Sequence, residues 1–213
     1  MDLKDLSYYK EIIKYKDYIY LDEELDFRKD YYADLLKAIN YKYNYGSSKF
    51  VIQDKDFVVK LPIRGISESL TETTRYRENY CYLEYENYLY AQNEKIDFLF
   101  AKTEMPEYDV YVQEKLTPYV KWQTNTYDSK SYLKSMDIIK EQEKNNTRYA
   151  VYSNVIIATL ISQYGEEIYK KLIKFCQKHL INDLTLNNFG FDKNGKLKLF
   201  DFSGYYGYEG SPC

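Results

Sequence analysis

Three oxygen-bearing side chains late in the sequence are spaced as a phosphate-transfer site would space them. Asp183 lies five residues before Asn188, and Asp201 lies thirteen residues after it, directly behind the β-rich run Leu197-Lys198-Leu199-Phe200. Phosphoryl transfer asks little covalent chemistry of a protein. It needs a carboxylate to orient the attacking hydroxyl, and oxygen ligands to hold Mg²⁺ against the phosphates. Asp183 supplies the first; Asn188 and Asp201 supply the second. The Asn194-Gly195 pair between FGF and KLKLFDF predicts a type I′ hairpin, which would return Asp201 beside Asn188 so that both reach one cation.

Other chemistries have less to work with. His179 is the single histidine, which excludes His-rich metal sites and leaves little room for a Ser-His-Asp triad. It falls at the end of an amphipathic pattern, where a cation suits a helix C-terminus, and it is assigned no catalytic role. Cys81, Cys176 and Cys213 are three, widely spaced and without a CxxC pair. A zinc site or disulfide framework is therefore not expected, and a reducing cytoplasm fits. Cys213 is the last residue, not fourth from the end, so it carries no prenylation signal. Charges run through the first 25 residues and no apolar run approaches membrane-spanning length, so neither a signal peptide nor a membrane span is expected.

The elements that must position these residues follow from pattern. Residues 2–40 are charged and rich in helix formers, with Leu3, Leu6, Tyr9, Ile12 and Ile13 at helical spacing and a second helix expected over 30–39. From 43 to 61 the texture becomes β-rich: KFVI and FVVKL, joined by the polar QDKD, predict a hairpin, and Pro62 should end its second strand. Residues 67–95 predict a helix capped by Ser67 or Ser69. FLFAKT and DVYVQEK predict two strands around a Met105-Pro106-Glu107-Tyr108 turn. In 121–146, DSKSYLKSM reads as helix and KEQEKNN as loop. Helices are expected over 150–160 and 166–179, separated by Gly165, before the closing hairpin. Strands in adjacent pairs with short turns disfavour an all-parallel sheet, and an α+β fold with an antiparallel sheet and a helical part is the simplest packing.

The segment HLINDLTLNNFGFDKNGKLKLFDFSG resembles the catalytic loop and Asp-Phe-Gly segment of the protein-kinase-like superfamily, in particular compact kinase-like proteins of phages and bacteria. The resemblance covers roughly residues 43–206. It implies that Asp183 is the catalytic-loop aspartate, Asn188 the metal-binding asparagine and Asp201 the second metal ligand. VVKL resembles the third kinase strand, which makes Lys60 the lysine on the nucleotide phosphates. Gly46-Ser47-Ser48 then stands in the place of the Gly-rich loop. Glu84 or Glu86, with Glu78 behind them, would pair with Lys60. Two residues apart, Glu84 and Glu86 cannot share a helix face. VYVQEKL resembles the strand leading to the hinge, with Gln113 as gatekeeper and Glu114 to Leu116 offering backbone groups to adenine. The sequence also departs from the family. Ile181 and Asn182 stand where protein kinases carry His and Arg, Thr185 where a basic residue is usual, and the segment reads DFSG with one residue inserted.

The implied fold is α+β: a truncated protein-kinase-like fold with an antiparallel five-strand N-lobe over 43–117, a reduced helical C-lobe over 118–213 and an extra N-terminal helical region over 1–42. Nine residues follow Gly204, so the resemblance implies no activation segment or peptide-binding helices. ATP and Mg²⁺ are the implied cofactors, and a nucleotide the implied partner. With 30 Lys+Arg against 33 Asp+Glu a general nucleic-acid coat is not expected. The 28 Tyr, beside many Lys, Asn and Ile, fit an AT-rich coding sequence better than a purpose-built aromatic surface. Two functions remain open: a small ATP-dependent phosphotransferase with an unknown acceptor, or a catalytically inactive kinase-fold binding protein, such as a phage or bacterial inhibitor of a host or defence protein.

Overall fold

The computed structural model describes residues 20–22, 42–45, 49–54, 56–62, 64–66, 79–122, 124, 126–147 and 149–203. These form a mixed α+β protein with a five-stranded antiparallel sheet and four α-helices. The chain divides into two compact units, 1–85 with 103–115 and 86–102 with 116–213.

The first unit holds the sheet. Its strands are β2 (Lys42–Tyr45), β3 (Lys49–Gln53), β4 (Phe57–Pro62), β6 (Thr103–Glu107) and β7 (Val110–Glu114), in the order β2-β3-β4-β7-β6. Every neighbouring pair is antiparallel. Alternation along the strands sorts the side chains onto two faces. Phe50, Ile52, Phe57, Val59, Leu61, Val110 and Val112 share one, and all are buried. Lys49, Lys60, Tyr111, Gln113 and Thr103 share the other, also buried. A two-stranded parallel sheet pairs β1 (Tyr20–Asp22) with β5 (Arg64–Ile66). Tyr20–Asp22 is thus a strand inside the stretch expected to be helical. The expected helices over 2–13 and 30–39 lie outside the described residues.

Several boundaries differ from expectation for local reasons. Of the expected helix over 67–95, Tyr80–Asn93 forms α1, and residues 67–78 lie outside the described residues. Asn79 caps it, its Oδ1 accepting from the Tyr82 amide at 3.0 Å; Ser67 and Ser69 lie outside the described residues. FLFAKT is not a strand throughout: Asp97–Leu99 is a single 3₁₀ turn, and the strand starts at Thr103. Met105 and Pro106 lie inside β6 rather than in a turn. Pro106 is tolerated because β6 is an edge strand whose register breaks between Glu104 and Glu107. The reversal comes at Tyr108-Asp109, with Asp109 left-handed at φ 61°.

The second unit is built on α2 (Ser129–Lys144), α3 (Asn154–Tyr164) and α4 (Glu166–Lys178), with residues 86–93 of α1. KEQEK continues α2 to Lys144 instead of forming a loop, and the helix is capped at its other end by Asp128, which accepts from the Ser131 amide at 2.8 Å. Gly165, at φ 86°, separates α3 from α4. A small antiparallel sheet orders β10 (Leu197–Leu199), β9 (Phe189–Phe191) and β8 (Thr117–Pro118). The core gathers Leu99, Phe100, Ile156, Leu160, Leu172, Phe175, Phe189, Phe191 and Phe202.

The β9–β10 hairpin forms as expected, but not through a type I′ turn. Its only left-handed residue is Gly195, at φ 72°. Gly195 N–H donates to Asp192 O at 3.0 Å, and the Asp192 carboxylate accepts from the Asn194 and Lys196 amides at 2.8 and 2.9 Å. Asp192 thus converts Asn-Gly into a three-residue loop ending in a glycine bulge.

Candidate functional site

In the first unit, the Lys60 ammonium donates to both carboxylate oxygens of Glu84, at 2.9 and 2.8 Å. Of the two candidate carboxylates, Glu84 is the one that receives it. Strand β4 places Lys60 and α1 places Glu84. The buried stripe of that helix runs Cys81, Glu84, Asn87, Tyr88, Ala91, spaced at one helical face. Two polar residues on an otherwise buried stripe are the sign that this face does more than pack. Glu84 is fully buried, and buried charges persist only when paired. A second lysine shares the carboxylate: Lys49 Nζ lies 3.2 Å from Glu84 Oε1.

Around this cluster the sheet face is polar and hydrogen-bonded. Tyr111 stands opposite Lys60 in the β4–β7 register. Burial, and then the Asp109 carboxylate, push its phenol well above the ordinary value, so it remains neutral and accepts from Asn79 Nδ2 at 3.2 Å. Gln113, the expected gatekeeper, is buried and donates to Thr103 Oγ1 at 3.0 Å. Glu114 ends β7, and Leu116 is buried in the second unit's core. The chain passes between the two units at 85–86, 102–103 and 115–116. Gly46, Ser47 and Ser48 lie outside the described residues, as does Glu78.

In the second unit, the loop after α4 carries Asp183. Leu180 leaves the helix left-handed at φ 55°, and Ile181 N–H donates to Cys176 O at 2.8 Å. Ile181 and Leu184 are buried while Asp183 is exposed between them. Ile181 is therefore an apolar anchor that holds the loop down. Asn188 Nδ2 donates to the Asp183 carbonyl at 2.9 Å. That bond ties Asn188 to the Asp183 loop. Phe200 N–H donates to Asn188 O at 2.9 Å, extending the β9–β10 ladder by one step, so the residue after Phe200, Asp201, follows directly on Asn188's partner.

Phe202 and Asn87 fix the Asp201 segment. Phe202 is fully buried, edge-on to Phe100 at 5.0 Å. Asn87, itself buried, donates to Phe202 O at 2.8 Å. Neither Asn87 nor Lys49 stands out by sequence motif; the polar break in the α1 stripe was the available signal for Asn87. Among the described residues no group of three or more His, Cys, Asp or Glu side chains is placed to hold a metal. Asn188 and Asp201 offer oxygen ligands only, the set that suits Mg²⁺, which keeps most of its positions for water and phosphate.

No family model matches the chain, and no curated protein matches it significantly. The chemistry of the site therefore rests on its own residues. His179 has no place in it. The ring stacks on Tyr90 at 4.7 Å and packs on Phe175, and burial holds its pKa below the ordinary value. Its Nε2 lies 3.8 Å from Glu94 Oε1, whose charge opposes that effect. No helix among the described residues is long and apolar enough to cross a membrane.

Proposed function

We propose that this chain is a small kinase-like protein that binds ATP with Mg²⁺ and transfers phosphate to an acceptor hydroxyl. The observation that carries the reading is the buried Lys60–Glu84 pair. A carboxylate held on a helix and aimed at a lysine on the middle strand of an antiparallel sheet is a device for orienting an ammonium toward phosphate. The arrangement of Asp183, Asn188 and the segment Asp201-Phe202 supports the same reading. In this view the fold is kinase-like, with the five-stranded sheet as N-lobe and the helical unit as a reduced C-lobe.

Lys60 holds nucleotide phosphate, and Glu84 fixes its direction. Asn188 and Asp201 would hold Mg²⁺, which neutralises charge on the transferred phosphate. Asp183 accepts the proton of the acceptor hydroxyl as that oxygen attacks. Gln113 and the chain from Glu114 to Leu116 border the base. A second reading, nucleotide binding without transfer and action through a protein partner, is favoured by Ile181 serving as a packing anchor and by the extra Ser203. Equilibrium titration with ATP, with and without Mg²⁺, tests the proposal together with ADP production. Saturable Mg²⁺-dependent binding with turnover supports transfer, and binding without turnover supports the second reading. Absence of binding overturns both nucleotide roles.

A further inference from the structure

Lys49 belongs to no motif, yet it occupies the same electrostatic setting as Lys60. Its ammonium lies 3.2 Å from Glu84 Oε1, the oxygen to which Lys60 donates at 2.9 Å. Its side chain is 8% exposed against 6% for Lys60, so it is not a strand lysine reaching out to solvent. The β3–β4 register explains the meeting. Val51 opposes Lys60 and Lys49 opposes Pro62, so the two lysines are diagonal neighbours on one sheet face. Lys49 also follows Gly46-Ser47-Ser48 directly in the chain.

We infer that Lys49 is a second phosphate-binding residue, and that the site takes a chain of at least two phosphates held by two lysines oriented by one carboxylate. The inference rests on the phosphate role given to Lys60 above. Whatever Glu84 does for one ammonium it does for the other, because both touch the same oxygen from the same face. Lysine acts on phosphate as a compact point charge with three donors. Two such charges side by side match the successive anionic groups of a di- or triphosphate, and have no counterpart in a neutral nucleoside.

Calorimetric titration of the whole chain with ATP, adenosine and inorganic tripolyphosphate tests this, comparing wild type with Lys49→Met, Lys49→Arg and Lys60→Met. The expected result is that Lys49→Met weakens ATP and tripolyphosphate about tenfold or more, the loss that accompanies one charge-assisted contact. Adenosine should be unaffected, and Lys49→Arg should retain most of the affinity. Equal losses for ATP and adenosine would mean that Lys49 only supports the fold around the site, and would overturn the inference. ATP binding unchanged in Lys49→Met would overturn it while leaving the role of Lys60 standing. Wild type that binds tripolyphosphate but not ATP, with Lys49→Met weakened, would support the two-lysine site and overturn the nucleotide reading. Wild type that binds neither overturns both. Protection of Lys49 from an amine-reactive label by tripolyphosphate, read by mass spectrometry on the wild-type protein, tests the same contact without a variant. Slower labelling of Lys49 is the expected result, and labelling at an unchanged rate counts against the inference.

Discussion

Lys60 and Glu84 are 24 residues apart in sequence and joined by two hydrogen bonds of 2.9 and 2.8 Å, with Glu84 fully buried. A strand carries one and a helix the other, and Lys49 joins them on Glu84 Oε1. The cluster is asymmetric, since one carboxylate serves two ammonium groups.

That asymmetry sets the order of two substitutions. Glu84→Gln removes the carboxylate from both lysines and should cost about 3–5 kcal/mol, the range for breaking a buried ion pair from one side. Lys60→Met leaves Glu84 with Lys49 and should cost less. Urea denaturation of both variants checks the order, and a larger loss for Lys60→Met would contradict it.

Asp183 and Asp201 should fail in different ways. Asp183→Asn should abolish phosphate transfer while sparing ATP affinity, because the exposed Asp183 acts on the acceptor and not on the nucleotide. Asp201→Asn should weaken Mg²⁺-dependent ATP binding through loss of a charged ligand. Turnover and affinity measured on both variants separate the roles; equal effects on both quantities would refute the division.

Gly190 in β9 should tolerate no side chain. A Cβ there would lie 2.8 Å from Thr117 O and 2.9 Å from Leu116 Cβ. The β8–β9 contact would have to open, so Gly190→Ala should destabilise by about 1–3 kcal/mol, as overpacking does. A denaturation midpoint equal to wild type would show that the strands separate freely.

His179 gives stability a dependence on pH. Burial is the main cause of its lowered pKa, with Lys178 adding to it and Glu94 and Glu86 opposing. Its unfolded value is about 6.5. The unfolded chain therefore takes up a proton first as pH falls, so stability present above about pH 6.5 declines through that value toward the depressed folded one. Melting temperatures at pH 7.5 and about 5.5 should differ more in wild type than in His179→Phe, which keeps a ring between Tyr90 and Phe175. The same acid-side loss in both proteins would contradict the assignment.

Much of the fold was legible where pattern and packing agree. The runs KFVI and FVVKL formed adjacent strands because their alternate residues, Phe50, Ile52, Val59 and Leu61, bury one face. The break at Gly165 and the closing hairpin were legible for similar local reasons. Pattern failed where a distant partner decides. Pro106 reads as a turn residue, but its strand is an edge. Asn194-Gly195 reads as a type I′ turn until the Asp192 side chain takes the turn amides. At the candidate site, Lys60 and Glu84 are legible through the resemblance of VVKL to a kinase strand, which asks for a carboxylate on the helix that follows. Lys49 is not, since its nearness to Glu84 follows from strand register. Asn87 is not either, because its partner is a backbone carbonyl 115 residues away.

Thermal melting with and without ATP–Mg²⁺ bears most directly on the central claim. A ligand at 100 times its Kd adds about 2.7 kcal/mol to the folded state, which for a chain of this size raises the melting temperature by about 5–10 °C. The account predicts such a rise with ATP–Mg²⁺, and a reduced one in Lys60→Met. A melting temperature unmoved by ATP–Mg²⁺ up to millimolar concentration would contradict it.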